Sequence, residues 1–118
     1  MKEAIADAEI QLRSTRAYCY QAIEAVWAEL EAGRPLSQQL RADVALSRIQ
    51  AFRTAREVTL RMVQLAGTQA IYSTSVLDRL LRDAVTMGQH VVAGPLLAEA
   101  AGGLVLGAEP TGMLAGLL

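Results

Sequence analysis

The only histidine of the chain, His90, follows Gln89 near the end of an amphipathic stretch that reads VLDRLLRDAVTMGQHVV. An imidazole titrates near neutral pH, so it can hold or move a proton, and the Gln89 amide beside it can donate and accept hydrogen bonds. A metal role has little support. No Cys, Asp or Glu stands at ligand spacing from His90, and Asp83 lies seven residues back, two turns away on the same face. On residue types alone, an imidazole on a polar helix face is most often simply solvated. Its functional alternative is to face a cofactor as a donor or an acid–base group.

Other candidates are weaker. Arg82 and Asp83 are adjacent and point to different sides of a helix, but Asp78 and Arg82 are four apart and can pair. Such a pair is either a surface contact worth under about 1 kcal/mol or a bridge between helices or domains. Gln64-Leu65-Ala66-Gly67-Thr68 reads as a helix end with a glycine cap, or as open backbone that a cofactor can approach. Arg56 sits between apolar turns, where its stem can pack while its head reaches solvent or an acid. Cys19 falls on an apolar stripe with no base nearby and reads as a small core residue. There is no phosphate loop, zinc motif, nucleophile elbow or pair of catalytic carboxylates.

These residues need helices to position them. A first helix is expected over residues 2–32, with Ile5, Leu12, Cys19 and Val26 at seven-residue spacing, joined by Ile23, Trp27 and Leu30. Gly33-Arg34-Pro35 stops it. Ser37 is a good cap for a second helix over residues 38–66, which ends at Gly67. That helix has two apolar stripes, one through Leu40, Val44, Ala51, Ala55, Val58, Met62 and Leu65, the other through Leu46, Ile49, Phe52, Leu60 and Val63. Two stripes mean contact on two sides, so it should be the central helix. Residues 67–75 are a polar turn, and Ser75 caps a third helix expected to run to about residue 93. The fold class is therefore all-α: an up-down antiparallel bundle of three long helices plus a short C-terminal tail, an incomplete four-helix bundle. Residues 1–94 form the bundle, and residues 95–118 are a Gly-rich apolar tail, partly helical or frayed.

Composition narrows the function. The net charge is -1, and Lys occurs once, so no basic stripe suggests nucleic-acid binding. One Cys excludes an intrachain disulfide and a Cys-rich metal site. Residues 91–108 are apolar, but Pro95, Glu99 and four glycines interrupt them, so no membrane span is expected. A cytoplasmic protein is the default, since the N-terminus is charged and unlike a signal peptide.

From about residue 5 to 94 the chain resembles the C-terminal helical domain of the acyl-CoA dehydrogenase superfamily. Glu31-Ala32-Gly33-Arg34 resembles the Gly-Arg turn after a helix of that domain. Val63-Gln64-Leu65-Ala66-Gly67 is similar to a Gln-hydrophobe-x-Gly-Gly element that lies at the flavin dinucleotide of a neighbouring subunit; Thr68 stands where a second glycine is common. Val76 to Ala84 resembles the segment ending in Arg-Asp-Ala. Classical dehydrogenases continue to a Tyr-Glu-Gly whose Glu takes the substrate α-proton. Here the chain reads Gln89-His90-Val91-Val92, which looks like the flavin-dependent monooxygenase-like branch of dibenzothiophene monooxygenase and hydroxyphenylacetate hydroxylase type. Gly103-Leu104-Val105-Leu106-Gly107 also resembles that branch.

The resemblance implies a flavoprotein oxidoreductase. His90 would be catalytic; Gln64, Gly67, Gln89 and His90 would bind cofactor; Arg82, Asp83 and Asp78 would hold the bundle by ion pairing. FAD or FMN would be bound in the complete assembly, and none need be bound by this chain alone. The family's N-terminal helical domain, middle β-domain and first helix of the C-terminal bundle are missing here. The implied partners are a second copy or a second polypeptide carrying those parts, and the chain alone should be inactive. Two other readings stay open: a stand-alone helical homo-oligomerisation or protein-interaction module, and a helical binder of a small apolar ligand. The residues name no substrate.

Overall fold

The computed structural model describes residues 1–116 and 118, with Met113 and Leu114 described by their backbone alone. Among the described residues there are four α-helices: α1 (Lys2–Glu31), α2 (Gln38–Ala66), α3 (Val76–Met87) and α4 (Pro95–Val105). Short 3-10 turns lie at Gly67–Ile71, Val91–Ala93 and Gly112–Gly116. No strand occurs among the described residues. The fold is the all-α helical bundle that the sequence predicts.

The helix ends follow from local chemistry. Gly33, at φ +67°, turns the chain out of α1. The Ser37 hydroxyl accepts the Leu40 amide at 3.1 Å and starts α2. Gly67 ends α2 with φ +62° and ψ -140°, a conformation open essentially to glycine. The Ser75 hydroxyl accepts the Leu77 amide at 3.3 Å and starts α3.

α2 is the central element, packed against α1, α3 and α4. Ala42, Ala45, Ile49 and Val58 are its buried apolar residues, and three of its polar-to-small positions (Ser47, Thr54, Ala45) let neighbours come close. α1 runs antiparallel to it. Asp7 meets Arg61 at 3.7 Å, Thr15 meets Thr54 at 2.9 Å, and Cys19 donates to the Ser47 carbonyl at 3.4 Å. The partners descend on α2 as they ascend on α1, which fixes the register.

The third helix is shorter than expected. α3 stops at Met87, and the amides of Gln89 and His90 bond to the carbonyls of Thr86 and Met87. Gly88 lowers helix propensity here, and the β-branched pair Val91-Val92 does not restore it. Pro95, just past the expected end of the third helix, begins a helix of its own: it occupies the first turn of α4, where its missing N–H costs nothing. α4 buries Leu97, Ala101 and Leu104 and packs on α2. Beyond α4 the chain returns to the start of α2. Gln38 hydrogen-bonds the Glu109 carboxylate, and Arg41 donates to the Ala115 carbonyl at 3.2 Å. No described helix is long and apolar enough to cross a membrane.

Candidate functional site at the helix junctions

The break between α3 and α4 decides where His90 points. The sequence places it on a helix face; the structure places it at the start of the Val91–Ala93 turn, as that turn's N-cap. Its Nδ1 accepts the Val92 amide at 3.3 Å. With Nδ1 taken by this contact, Nε2 is the ring atom left for another partner. The side chain is exposed, which leaves Nε2 open to such a partner. Gln89 is exposed beside it, and its amide reaches the Val85 carbonyl at 3.4 Å.

A cleft of about 320 Å³ opens at the same junction. Gly88, Ala93, Gly94 and Pro95 line one side; Phe52, Arg53, Arg56 and Glu57 of α2 line the other. Two guanidiniums against one carboxylate make the α2 wall net positive. This cleft is not legible in the sequence, because its walls come from segments more than thirty residues apart. Arg56 was the one wall residue with a signal, an arginine between apolar turns.

The second candidate group lies elsewhere. Gln64 and Gly67 close α2, at the end where the chain enters the turn before α3. Both are exposed, and nothing lies within 4 Å of where a Gly67 side chain would begin. The backbone there is open to approach. The twelve residues of α3, about 18 Å of helix, separate this locus from Gln89 and His90. The structure therefore pairs Gln89 with His90 and Gln64 with Gly67, but does not bring the two pairs into one pocket.

Arg82 and Asp78 form an ion pair at 3.0 Å along α3. Asp83 is exposed and, among the described residues, makes no ion pair. Among the described residues no three His, Cys, Asp or Glu side chains gather into a metal site.

Polar groups also meet inside the bundle, unforeseen from the sequence. The Thr15 and Thr54 hydroxyls share a buried hydrogen bond, and Gln50 donates to Thr54 at 3.0 Å. Tyr18 donates to Asp43 at 3.4 Å. Burial first, then the Asp43 charge and hydrogen bond, raise the Tyr18 phenol above its ordinary value of 10.0. At the surface, Arg34 grips Glu29 with two hydrogen bonds of 2.7 and 3.0 Å across the Gly33 turn. That grip lowers the Glu29 carboxyl below its ordinary 4.5.

Comparison with known proteins agrees with the resemblance. Residues 1–95 match the family model described as acyl-CoA dehydrogenase, C-terminal domain. The chain is 36% identical over 106 residues to an indole-3-acetate monooxygenase of Pseudomonas putida, covering 90% of this chain and 27% of the relative. It is 34% identical over 107 residues to an indole-3-acetate monooxygenase of Acinetobacter baumannii, covering 91% of this chain and 27% of that relative. The chain thus spans about a quarter of the length of these relatives, which belong to the monooxygenase side of the superfamily, the side that Gln89-His90 pointed to. With the match running from the first helix through the α3–α4 junction, the chain belongs to the acyl-CoA dehydrogenase C-terminal domain family.

Proposed function

We propose that this chain acts as the C-terminal helical part of a flavin-dependent monooxygenase, giving the flavin one wall of its site and depending on other domains or subunits for activity. The observation that carries this is the α3–α4 junction. There the helix break takes Gln89 and His90 out of α3 and leaves both side chains exposed, with the imidazole Nε2 unused by the turn.

The residues fit a flavin as a wall and not as an enclosure. The Gln89 amide and His90 Nε2–H are donors of the kind that flavin ring carbonyls and nitrogens accept. At the far end of α3, the exposed Gln64 amide offers a donor that suits a phosphate or ribityl group, and the open space at Gly67 lets such a group approach. Two exposed polar sites separated by a helix suit an extended ligand, or two copies of it, better than a compact one. Bound flavin would supply the redox chemistry by which a monooxygenase uses dioxygen. The chain's own residues bind, orient and hold a proton at His90 Nε2. FAD and FMN share the ring that this junction would meet.

The relatives' names support a substrate class for the complete assembly: a small aromatic acid of the indole-3-acetate kind. The cleft beside His90 has the chemistry for one, since Phe52 offers a ring face and Arg53 and Arg56 offer charge to a carboxylate.

A chimera tests the reading. The matched C-terminal stretch of the Pseudomonas putida relative is replaced by this chain, and flavin content is measured on the purified, folded protein. Bound flavin in near-stoichiometric amount is expected. A folded chimera with no flavin would overturn the proposal.

A further inference from the structure

Gly94 lines the cleft between α2 and the α3–α4 junction, and its backbone does not call for glycine. It stands at φ -80° and ψ 167°, an extended conformation open to any residue and favoured before a proline. It is the N-cap of α4, where serine or asparagine would serve better. A side chain there would begin 3.4 Å from the Val91 carbonyl oxygen, an ordinary contact, with nothing else within 4 Å. Neither conformation, capping nor crowding within this chain asks for a glycine. What its missing side chain provides is room in the cleft, of the kind that lets a ligand approach the backbone closely.

The opposite wall belongs to α2. Phe52 and Arg56 are four residues apart, so they share one side of the helix, one turn or about 6 Å apart. Phe52 is half-buried and Arg56 exposed. Arg53 and Glu57 form the next row around the helix. Among the described residues, Arg53, Arg56 and Glu57 make no ion pair. Arg53 also borders a second groove, toward Tyr18, so Arg56 is the cation committed to this cleft. No residue of α1 lines it.

We infer that Gly94 sets the ring size that this cleft accepts and that Arg56 anchors the acid. A flat fused-ring carboxylate lies with its ring between Phe52 and Gly94 and its carboxylate on the Arg56 guanidinium. This names the residues that select the substrate class proposed above; it rests on that reading of the substrate, and not on flavin.

Size and charge agree with that ligand. The cleft of about 320 Å³ stands at the low end of ligand cavities, which run from about 300 to 1,000 Å³, so it suits a small molecule rather than a nucleotide or a peptide. An aromatic face stacks on Phe52. A guanidinium holds a carboxylate through two parallel hydrogen bonds, and a carboxylate one carbon from the ring spans the single turn between Phe52 and Arg56. Glu57 leaves the α2 wall one net positive charge, which suits a monoanion. A methyl group at residue 94 narrows the gap opposite Phe52, where a second fused ring needs the space.

The test is a flavin-free NMR titration of the isotope-labelled full chain with indole-3-acetate, phenylacetate and indole-3-acetamide, following the Phe52 and residue-56 amides. Indole-3-acetate should bind saturably with a Kd on the order of 1 mM, the scale for about a dozen heavy atoms in an open cleft. The neutral amide should bind about tenfold more weakly, and Arg56→Gln should bring the acid down to the amide's level. Gly94→Ala should weaken indole-3-acetate about tenfold and phenylacetate less than about twofold. Gly94→Ser should do the same; it keeps a capping side chain on α4, so a loss shared by both variants does not come from a weakened helix start. Because flavin is absent, a failure here leaves the flavin reading standing, and a chimera without flavin leaves this result standing. No saturable shift at about 20 mM indole-3-acetate would overturn the inference. So would an acid that Arg56→Gln does not weaken, or Gly94 variants that lose both acids equally or neither.

Discussion

His90 turns its ring back onto its own chain: Nδ1 accepts the Val92 amide at 3.3 Å, two residues on. The bond holds the ring against the backbone, leaves Nε2 for another partner and starts the turn that leads into α4. Structure and candidate chemistry therefore meet in one side chain. His90→Ala should release the Val92 amide and raise its hydrogen-exchange rate several-fold, while global stability falls by no more than about 1 kcal/mol, as for a single exposed hydrogen bond. Exchange at Val92 that matches wild type would show that the imidazole does not hold the turn.

Thr15 and Thr54 meet at the buried crossing of α1 and α2, with Gln50 as a third member. Replacing Thr54 with Val keeps the shape but strands two polar partners, at a cost of about 1–3 kcal/mol. Thr15→Val should cost less, because Gln50 still serves Thr54. The double variant should cost less than the sum of the singles, by a coupling of about 0.5–1 kcal/mol. Urea denaturation of the four proteins measures it; strict additivity would mean that the two hydroxyls do not interact.

Gly67→Ala isolates backbone strain from crowding. A methyl group there meets nothing within 4 Å, yet φ +62° with ψ -140° disfavours any L side chain. A loss of about 1–3 kcal/mol is expected from the backbone alone. A stability equal to wild type would show that the end of α2 can relax into another conformation.

Glu29 and Arg34 give a pH signature. The Arg34 hydrogen bonds lower the folded Glu29 carboxyl below 4.5, so the folded state holds its proton less tightly than the unfolded state. The contact's contribution is complete above the unfolded value and is lost as pH falls through the lowered folded value. Carbon-detected NMR titration should place the Glu29 midpoint below 4.5, and Arg34→Gln should return it upward. An unchanged midpoint in that variant would show that Arg34 is not its cause.

Much of this fold was legible. Ser37, Ser75, Gly33 and Gly67 mark their helix ends by side-chain oxygen or by freedom at positive φ, and each does so in the structure. The two apolar stripes of α2 foretold its central place. The Asp78–Arg82 pair followed from four-residue spacing. The break after Met87 did not, because the apolar pattern runs on through Val91 and Val92 while Gly88 ends the hydrogen-bond ladder. His90 was therefore expected on a helix face and stands in a turn. The cleft at Gly94 and the Thr15–Thr54 contact were hidden for another reason: each joins residues far apart in sequence, and periodicity reports only which face is apolar, not which residue it meets.

Flavin that faces the helix junctions of this chain leaves a measurable trace in its affinity. The most direct measurement is a titration of flavin into the apo form of the chimera, comparing wild type with Gln89→Ala, His90→Ala and Gln64→Ala. Flavin dissociation constants about tenfold weaker are expected for His90→Ala and Gln89→Ala, near 1.4 kcal/mol each, with a smaller loss for Gln64→Ala. Equal affinity for all four folded proteins would contradict it.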